Sequence, residues 1–160
     1  SGGGSSKATS TEERRMIGFR LVGICQWARF RDITVATEMH RNNYTDRSDT
    51  ILELISNVAL PNLRTYYQPL FGRDTEDYYE ALEKICPYVV NIHAQNAKHE
   101  NGKYKACGIA EGELDYTRVI EILESFDYNG YLEIEFVHGE DKLEALQRDR
   151  DYLASLISIE

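Results

Sequence analysis

Cysteine is scarce in this chain. Cys25, Cys86 and Cys107 are odd in number, far apart and without a CxxC pair. That argues against a disulfide framework and fits reduced thiols in a cytoplasmic protein. Basic residues are also in deficit, 18 against 27 acidic ones, which gives a net charge of −9 and a pI near 5.0. A nucleic-acid partner needs a basic surface, so none is expected, although a few local cations can still hold a small anionic substrate. No apolar run approaches the roughly 18 residues of a membrane span and no signal peptide is visible, so neither membrane nor export is expected. No Gly-x-Gly-x-x-Gly follows any strand, which removes the signature of a doubly wound dinucleotide fold. What is present is an ordinary globular composition, 42 % hydrophobic and 28 % charged over 160 residues. That length suffices for one domain burying roughly 68–70 % of its unfolded surface.

The clearest local pattern is Gly130-Tyr131-Leu132-Glu133-Ile134-Glu135-Phe136. Leu132, Ile134 and Phe136 alternate with Glu133 and Glu135, the period of a strand with one apolar face. Before it, Thr11 to Phe30 reads as a helix capped by Ser10 or Thr11, with Ile17, Leu21, Ile24 and Ala28 on one face. Ile33 to His40 is a β-branched strand containing Glu38. Ile51, Leu52, Ile55 and Val58 form a short helix with Thr50 and Glu53 as its capping box. Leu63–Gln68 is the next strand, and Asp74 caps a helix carrying Tyr78, Leu82 and Ile85. Tyr88–His93 is the third strand, followed by a polar loop. Asp115 caps the helix of Val119, Ile120, Leu123 and Phe126, terminated by Asn129-Gly130, and Asp141 to Ile157 forms the last helix.

A helix followed by four strand–helix units implies a parallel sheet with right-handed crossovers. The strand-end residues Glu38, Gln68, His93 and Glu135 are spaced by about 30, 25 and 42 residues. A (β/α)8 barrel spends roughly 31 residues on each unit. The fold expected is therefore α/β, of the TIM-barrel type, with four of the eight units: a half barrel. In such barrels the chemistry sits at the C-terminal ends of the strands. Two carboxylates, an imidazole and an amide converging there suit a divalent cation of the Mn, Mg, Co or Zn type. Paired glutamates beside a substrate carbon suit proton removal and return, with the cation polarising oxygen and stabilising an enediolate. Glu133 shares the inward face with Glu135 and needs a polar or cationic neighbour. His40, Asn42 and Lys98, in loops on the same face, are candidates for substrate contact.

The runs Thr37-Glu38-Met39-His40, Asn91-Ile92-His93, Gly112-Glu113-Leu114-Asp115-Tyr116 and Tyr128 to Phe136 resemble the sugar phosphate isomerase/epimerase family with the xylose isomerase-like TIM barrel. The resemblance covers residues 11–160 and corresponds to that family's last four strands and the helix before them, its C-terminal half. It implies Glu38, Gln68, His93 and Glu135 as metal ligands, with Glu38 and Glu135 doubling as the acid/base pair. The implied activity is sugar isomerisation or epimerisation through an enediolate; relatives dehydrate inososes or cleave DNA at abasic sites. One departure is evident. The family's second ligand is usually Asp with a His soon after, whereas here the strand ends Tyr66-Tyr67-Gln68-Pro69. Gln68 offers a neutral carbonyl oxygen, which implies weaker binding of a cation.

Two further readings stand beside that one. A degenerate barrel serving as a non-catalytic sugar-binding or interaction module accommodates Gln68 and the missing half. An abasic-site phosphodiesterase needs many His and Asp ligands, and this chain has four histidines. Residues 1–10 read either as a flexible linker or as a native glycine-rich loop. A half barrel leaves two sheet edges unpaired, so self-association or a complementary N-terminal half is expected.

Overall fold

A computed structural model describes residues 4–157. Ser1, Gly2 and Gly3 of the glycine-rich stretch and residues 158–160 lie outside the described residues. Helix α1 (Thr11–Arg29) starts at Ser10, which exchanges bonds with Glu13 in a capping box. Its buried face is Gly18, Cys25 and Ala28, with Leu21 and Val22 packed beside them, whereas the expected core residue Ile24 is 52 % exposed. Strand β1 (Val35–Glu38) begins later than expected because the Ile33 N–H is taken by Ala28 O at the end of α1.

Helix α2 (Ser48–Val58) corrects the expected Thr50–Glu53 capping box. The helix starts earlier, at Ser48, and the Thr50 hydroxyl donates to Tyr44 O and Arg47 O at 2.7 and 2.9 Å. Glu53 is drawn away to Arg14 of α1 at 3.1 Å. Strand β2 (Leu63–Tyr67) and helix α3 (Thr75–Ile85), capped by Asp74, follow as expected. A short 3-10 turn over Cys86–Tyr88 delays β3 to Val89–Ala94.

The segment expected to be a polar loop is instead an antiparallel hairpin, β4 (Asn96–Glu100) and β5 (Lys103–Cys107). Asn101 and Gly102 turn it at φ 51° and 77°, the left-handed pair that a two-residue hairpin requires. Lys98 is thus a strand residue, not a loop residue.

Helix α4 (Tyr116–Ser125) is capped by Asp115 and ends before Asn129-Gly130. Its stop is a Schellman arrangement around Asp127 at φ 51°, with Tyr128 N–H donating to Leu123 O. Gly130 has another role, since a Cβ there would lie 2.6 Å from Val90 O and push β6 (Tyr131–Ile134) off the sheet. Phe136 leaves the strand at φ 59°, and α5 (Lys142–Leu156) starts at Asp141.

β1, β2, β3 and β6 form one parallel sheet in that order. The helices cover one face, where Leu63, Thr65, Tyr67, Ile92 and Ala94 are buried. Each large apolar side chain so buried contributes roughly 1.5–3 kcal/mol. A bulge between β2 and β3 pairs Thr65 with Val89 and Tyr66 with Asn91, leaving Val90 unpartnered. That extra residue resets the alternation, so Asn91 and His93 share the uncovered face with Tyr66. The same face carries Ala36, Glu38 and Tyr131 around a cleft of about 430 Å³. In an eight-stranded barrel it is the interior. Among the described residues no helix is long and apolar enough to cross a membrane, and the three cysteines are free and buried.

Candidate functional site

Parallel strands deliver their last side chains to one end of the sheet, and here those side chains are acidic or imidazole. Glu38 ends β1, His93 is the penultimate residue of β3, and Glu135 follows β6, held in register by its N–H to Ala94 O at 2.9 Å. One ligand atom from each of the three lies within 4.8 Å of the others. His93 Nδ1 is 3.3 Å from Glu38 Oε1 and 3.6 Å from Glu135 Oε2. Nδ1 is buried yet makes no hydrogen bond. Tyr66 meets the imidazole edge-on, with ring centroids 5.2 Å apart, and fixes its plane.

The other edge of the ring faces Glu133, whose Oε2 is 3.8 Å from His93 Nε2 and accepts from Asn91 Nδ2 at 2.7 Å. Asn91 is therefore the polar neighbour that an inward Glu133 needs. This is the setting of a metal-ligating histidine, one nitrogen facing oxygen ligands and the other facing a carboxylate. Two carboxylates and a buried ring nitrogen without a hydrogen-bond partner fit a divalent cation.

Gln68 is buried just beyond β2, and its amide is held at both ends. Nε2 donates to Met39 O at 2.6 Å and Oε1 accepts from Gln95 Nε2 at 3.0 Å. The Gln95 amide also donates to Glu135 Oε2 at 3.2 Å, so it joins Gln68 to the acidic cluster. Gln95 was not among the residues that strand-end reasoning selects. It lies in the junction between β3 and the hairpin, and an unpaired Gln carries no sequence signal of its own.

Burial raises the Glu135 carboxyl above its ordinary value; His93 opposes the shift, Glu38 and Glu133 reinforce it, and His40 weakly opposes it. His40 is exposed, with Nδ1 2.8 Å from Arg41 O, and near enough to act on Glu135 only through its charge. Asn42 is exposed in the β1–α2 loop at φ 61°. Lys98 is engaged by Glu100 at 3.1 Å on the hairpin, which raises its ammonium pKa. None of these three belongs to the Glu38, His93 and Glu135 cluster.

Known proteins share this architecture. The 3-dehydroshikimate dehydratase of Bacillus anthracis is 26 % identical over 140 residues, which are 78 % of this chain and 50 % of that protein. Among solved structures, the probable 3-DHS dehydratase involved in petrobactin synthesis from Bacillus anthracis superposes with a TM-score of 0.79 at 22 % identity. It covers 95 % of this chain and 61 % of its own. A xylose isomerase-like TIM barrel protein from Mycobacterium smegmatis, solved in complex with magnesium, gives 0.74 at 21 %, over 92 % of this chain and 51 % of that one. The D-allulose 3-epimerase of Methylomonas sp. gives 0.71 at 12 %, over 92 % and 57 %. The chain thus spans about half the length of the curated relative it matches. The model of one family, described as xylose isomerase-like TIM barrel, matches residues 1–156. This chain belongs to the xylose isomerase-like TIM barrel family.

Proposed function

We propose that residues 11–160 are the C-terminal half of a divalent-metal-dependent barrel enzyme, and that it isomerises or epimerises a sugar or sugar phosphate. The observation that carries this reading is the convergence of Glu38, His93 and Glu135 around a buried imidazole nitrogen with no hydrogen bond. Glu38, Gln68, His93 and Glu135 would hold the cation. When bound, it supplies Lewis acidity at a substrate carbonyl oxygen.

The chain's own residues supply the proton transfers. Glu135, at the end of β6 and half-buried beside His93, removes the proton from the carbon beside the carbonyl. The C–H electron pair moves into a carbon–carbon double bond and the carbonyl oxygen takes the charge, giving an enediolate. Glu38, as the acid, returns a proton to the opposite face, which inverts the centre, or to the former carbonyl carbon while the neighbouring hydroxyl proton passes to the former carbonyl oxygen, which moves the carbonyl. His40, Asn42 and Lys98 are the candidates for contacts to substrate hydroxyls or phosphate.

A dehydratase is the second reading, favoured by the match to 3-dehydroshikimate dehydratase. It needs the same first step, after which hydroxide leaves the adjacent carbon and departs as water with a proton from the acid. Solvent-exchange NMR tests both. The chain, with Mn²⁺ and a complementary half barrel, is incubated in D₂O with ketoses, their phosphates and 3-dehydroshikimate. Deuterium entering next to a carbonyl, lost in Glu135→Gln, is the expected result; loss of water from the hydroxy ketone selects the dehydratase. No exchange with any substrate, from a folded and metal-loaded complex, favours a non-catalytic module.

The same reading supplies a partner. Phe19, Trp27 and Phe30 of α1 and its end are 62–88 % exposed on the β1 side of the sheet, and Phe136 and Leu143, which follow β6, are 64 % and 65 % exposed. Exposed apolar surface on this scale marks an interface. A complementary half barrel or a second copy of the chain is the occupant proposed.

A further inference from the structure

We infer that Gln95 is a positioning residue that aims the oxygens of Gln68 and Glu135 at the cation site, and that Tyr116 holds Gln95 in place. The inference rests on the metal-dependent reading above. A glutamine is an uncertain ligand because its amide can present either an oxygen, which attracts a cation, or an NH₂ group, which repels one. At Gln68 that choice is made by two neighbours. Met39 O accepts only from an N–H, and it takes Nε2 at 2.6 Å. Gln95 Nε2 can only donate, and it meets Oε1 at 3.0 Å. The carbonyl oxygen of Gln68 is therefore turned toward Gln95, whose amide also reaches Glu135 Oε2 of the cluster. A reversed amide would set oxygen against Met39 O and NH₂ against NH₂.

The second N–H of the Gln95 amide goes to Glu135 Oε2 at 3.2 Å. Both hydrogens of one NH₂ group are thus spent on two proposed ligands. That requires a fixed backbone, which Tyr116 provides. The Gln95 N–H donates to the Tyr116 oxygen at 2.9 Å, and the Tyr116 O–H donates to Gln95 O at 2.9 Å. Tyr116 is 1 % exposed in the first turn of α4. Burial holds its phenol protonated well above neutral pH, so it keeps its donor. The chain from α4 through Tyr116 and Gln95 to Gln68 and Glu135 explains how a neutral amide can stand where a carboxylate would need no orientation. A carboxylate offers two equivalent oxygens; an amide offers one.

The test is Mn²⁺ affinity, read as free Mn²⁺ by electron paramagnetic resonance, on the 160-residue chain with its thermal melt as a fold control. Gln95→Leu is expected to weaken Mn²⁺ binding by about 10- to 100-fold, as loss of an outer partner does. Tyr116→Phe is expected to weaken it less. The discriminating variant is Gln68→Asp, whose carboxylate needs no aiming and is too short to meet Met39 O. In that background the loss caused by Gln95→Leu is expected to shrink severalfold, a coupling a merely structural Gln95 would not produce. Folded Gln95→Leu binding Mn²⁺ like the wild type overturns the inference, as does an equal loss in both backgrounds. A wild type that binds no Mn²⁺, alone or in complex with its complementary half barrel, overturns the metal reading itself, and this inference with it.

Discussion

His93 Nδ1 and Glu38 Oε1 lie 3.3 Å apart without forming a hydrogen bond. The pair is close but wrongly angled, as two ligands aimed at a common third atom would be. Without a cation, Glu38, Glu133 and Glu135 crowd one imidazole with no Lys or Arg paired to any of them among the described residues. Functional sites commonly hold such stored repulsion. Glu38→Gln is therefore expected to raise the melting temperature of the chelated protein, by about 2–4 °C per kcal/mol relieved, and to lower its affinity for Mn²⁺. Calorimetry with and without EDTA reads both. A lower melting temperature in EDTA would show that the carboxylate is structural.

The raised pKa of Glu135 sets a pH dependence. A carboxyl whose folded pKa exceeds its unfolded value favours folding most when protonated. Its contribution is present below the unfolded pKa, near 4.5, and is lost as pH rises through the folded value. Glu135→Gln removes that loss. In EDTA, the stability of the variant relative to the wild type should increase between about pH 4 and pH 7, measured by urea melts. A difference that stays constant across that range would contradict the shift.

Asn96 anchors the segment that carries Gln95. It is 1 % exposed, donates to Ile109 O and Leu114 O at 2.8 Å each, and accepts from Leu114 N at 3.1 Å. Asn96→Ala strands those backbone groups, each worth about 1–3 kcal/mol if left buried and unpaired. Destabilisation of at least about 2 kcal/mol is expected from denaturant melts, together with weaker Mn²⁺ binding through displacement of Gln95. Gly112→Ala should act similarly, because its Cβ would collide with the Asn96 side chain, 2.8 Å from the Asn96 Cβ.

Trp27 and Phe30, 62 % and 88 % exposed, test the interface proposal. Sedimentation at micromolar concentration is expected to show self-association, or a stable complex with a complementary half barrel. Trp27→Glu combined with Phe30→Glu should abolish either one while leaving the melting temperature of the isolated chain nearly unchanged. A wild type that stays monomeric alone and beside the complementary half would contradict the proposal.

Much of the architecture was legible from local signals. Asp74 and Asp115 each cap the helix that the sequence assigns to them, and the alternation around Leu132 and Ile134 is a strand with helices under its apolar face. Residues at strand ends were legible because a parallel sheet converts sequence period into a shared position. What escaped depended on tertiary partners. Thr50 carries the sequence signal of a cap, but Tyr44 O claims its hydroxyl. Asn101-Gly102 carried a turn signal, yet the flanking Lys, His and Glu residues lack the apolar alternation that usually accompanies a hairpin. Gln95 escaped for the same reason: its role lies in contacts to residues 27 and 40 positions away.

The most direct test is metal content after loading with Mn²⁺ and desalting, for the wild type beside His93→Ala and Glu135→Gln. About one Mn²⁺ retained per assembled site in the wild type, and almost none in either variant, is the expected result. A folded wild type in complex with its complementary half that retains no Mn²⁺, or variants that retain as much as the wild type, would contradict a metal centre at Glu38, His93 and Glu135.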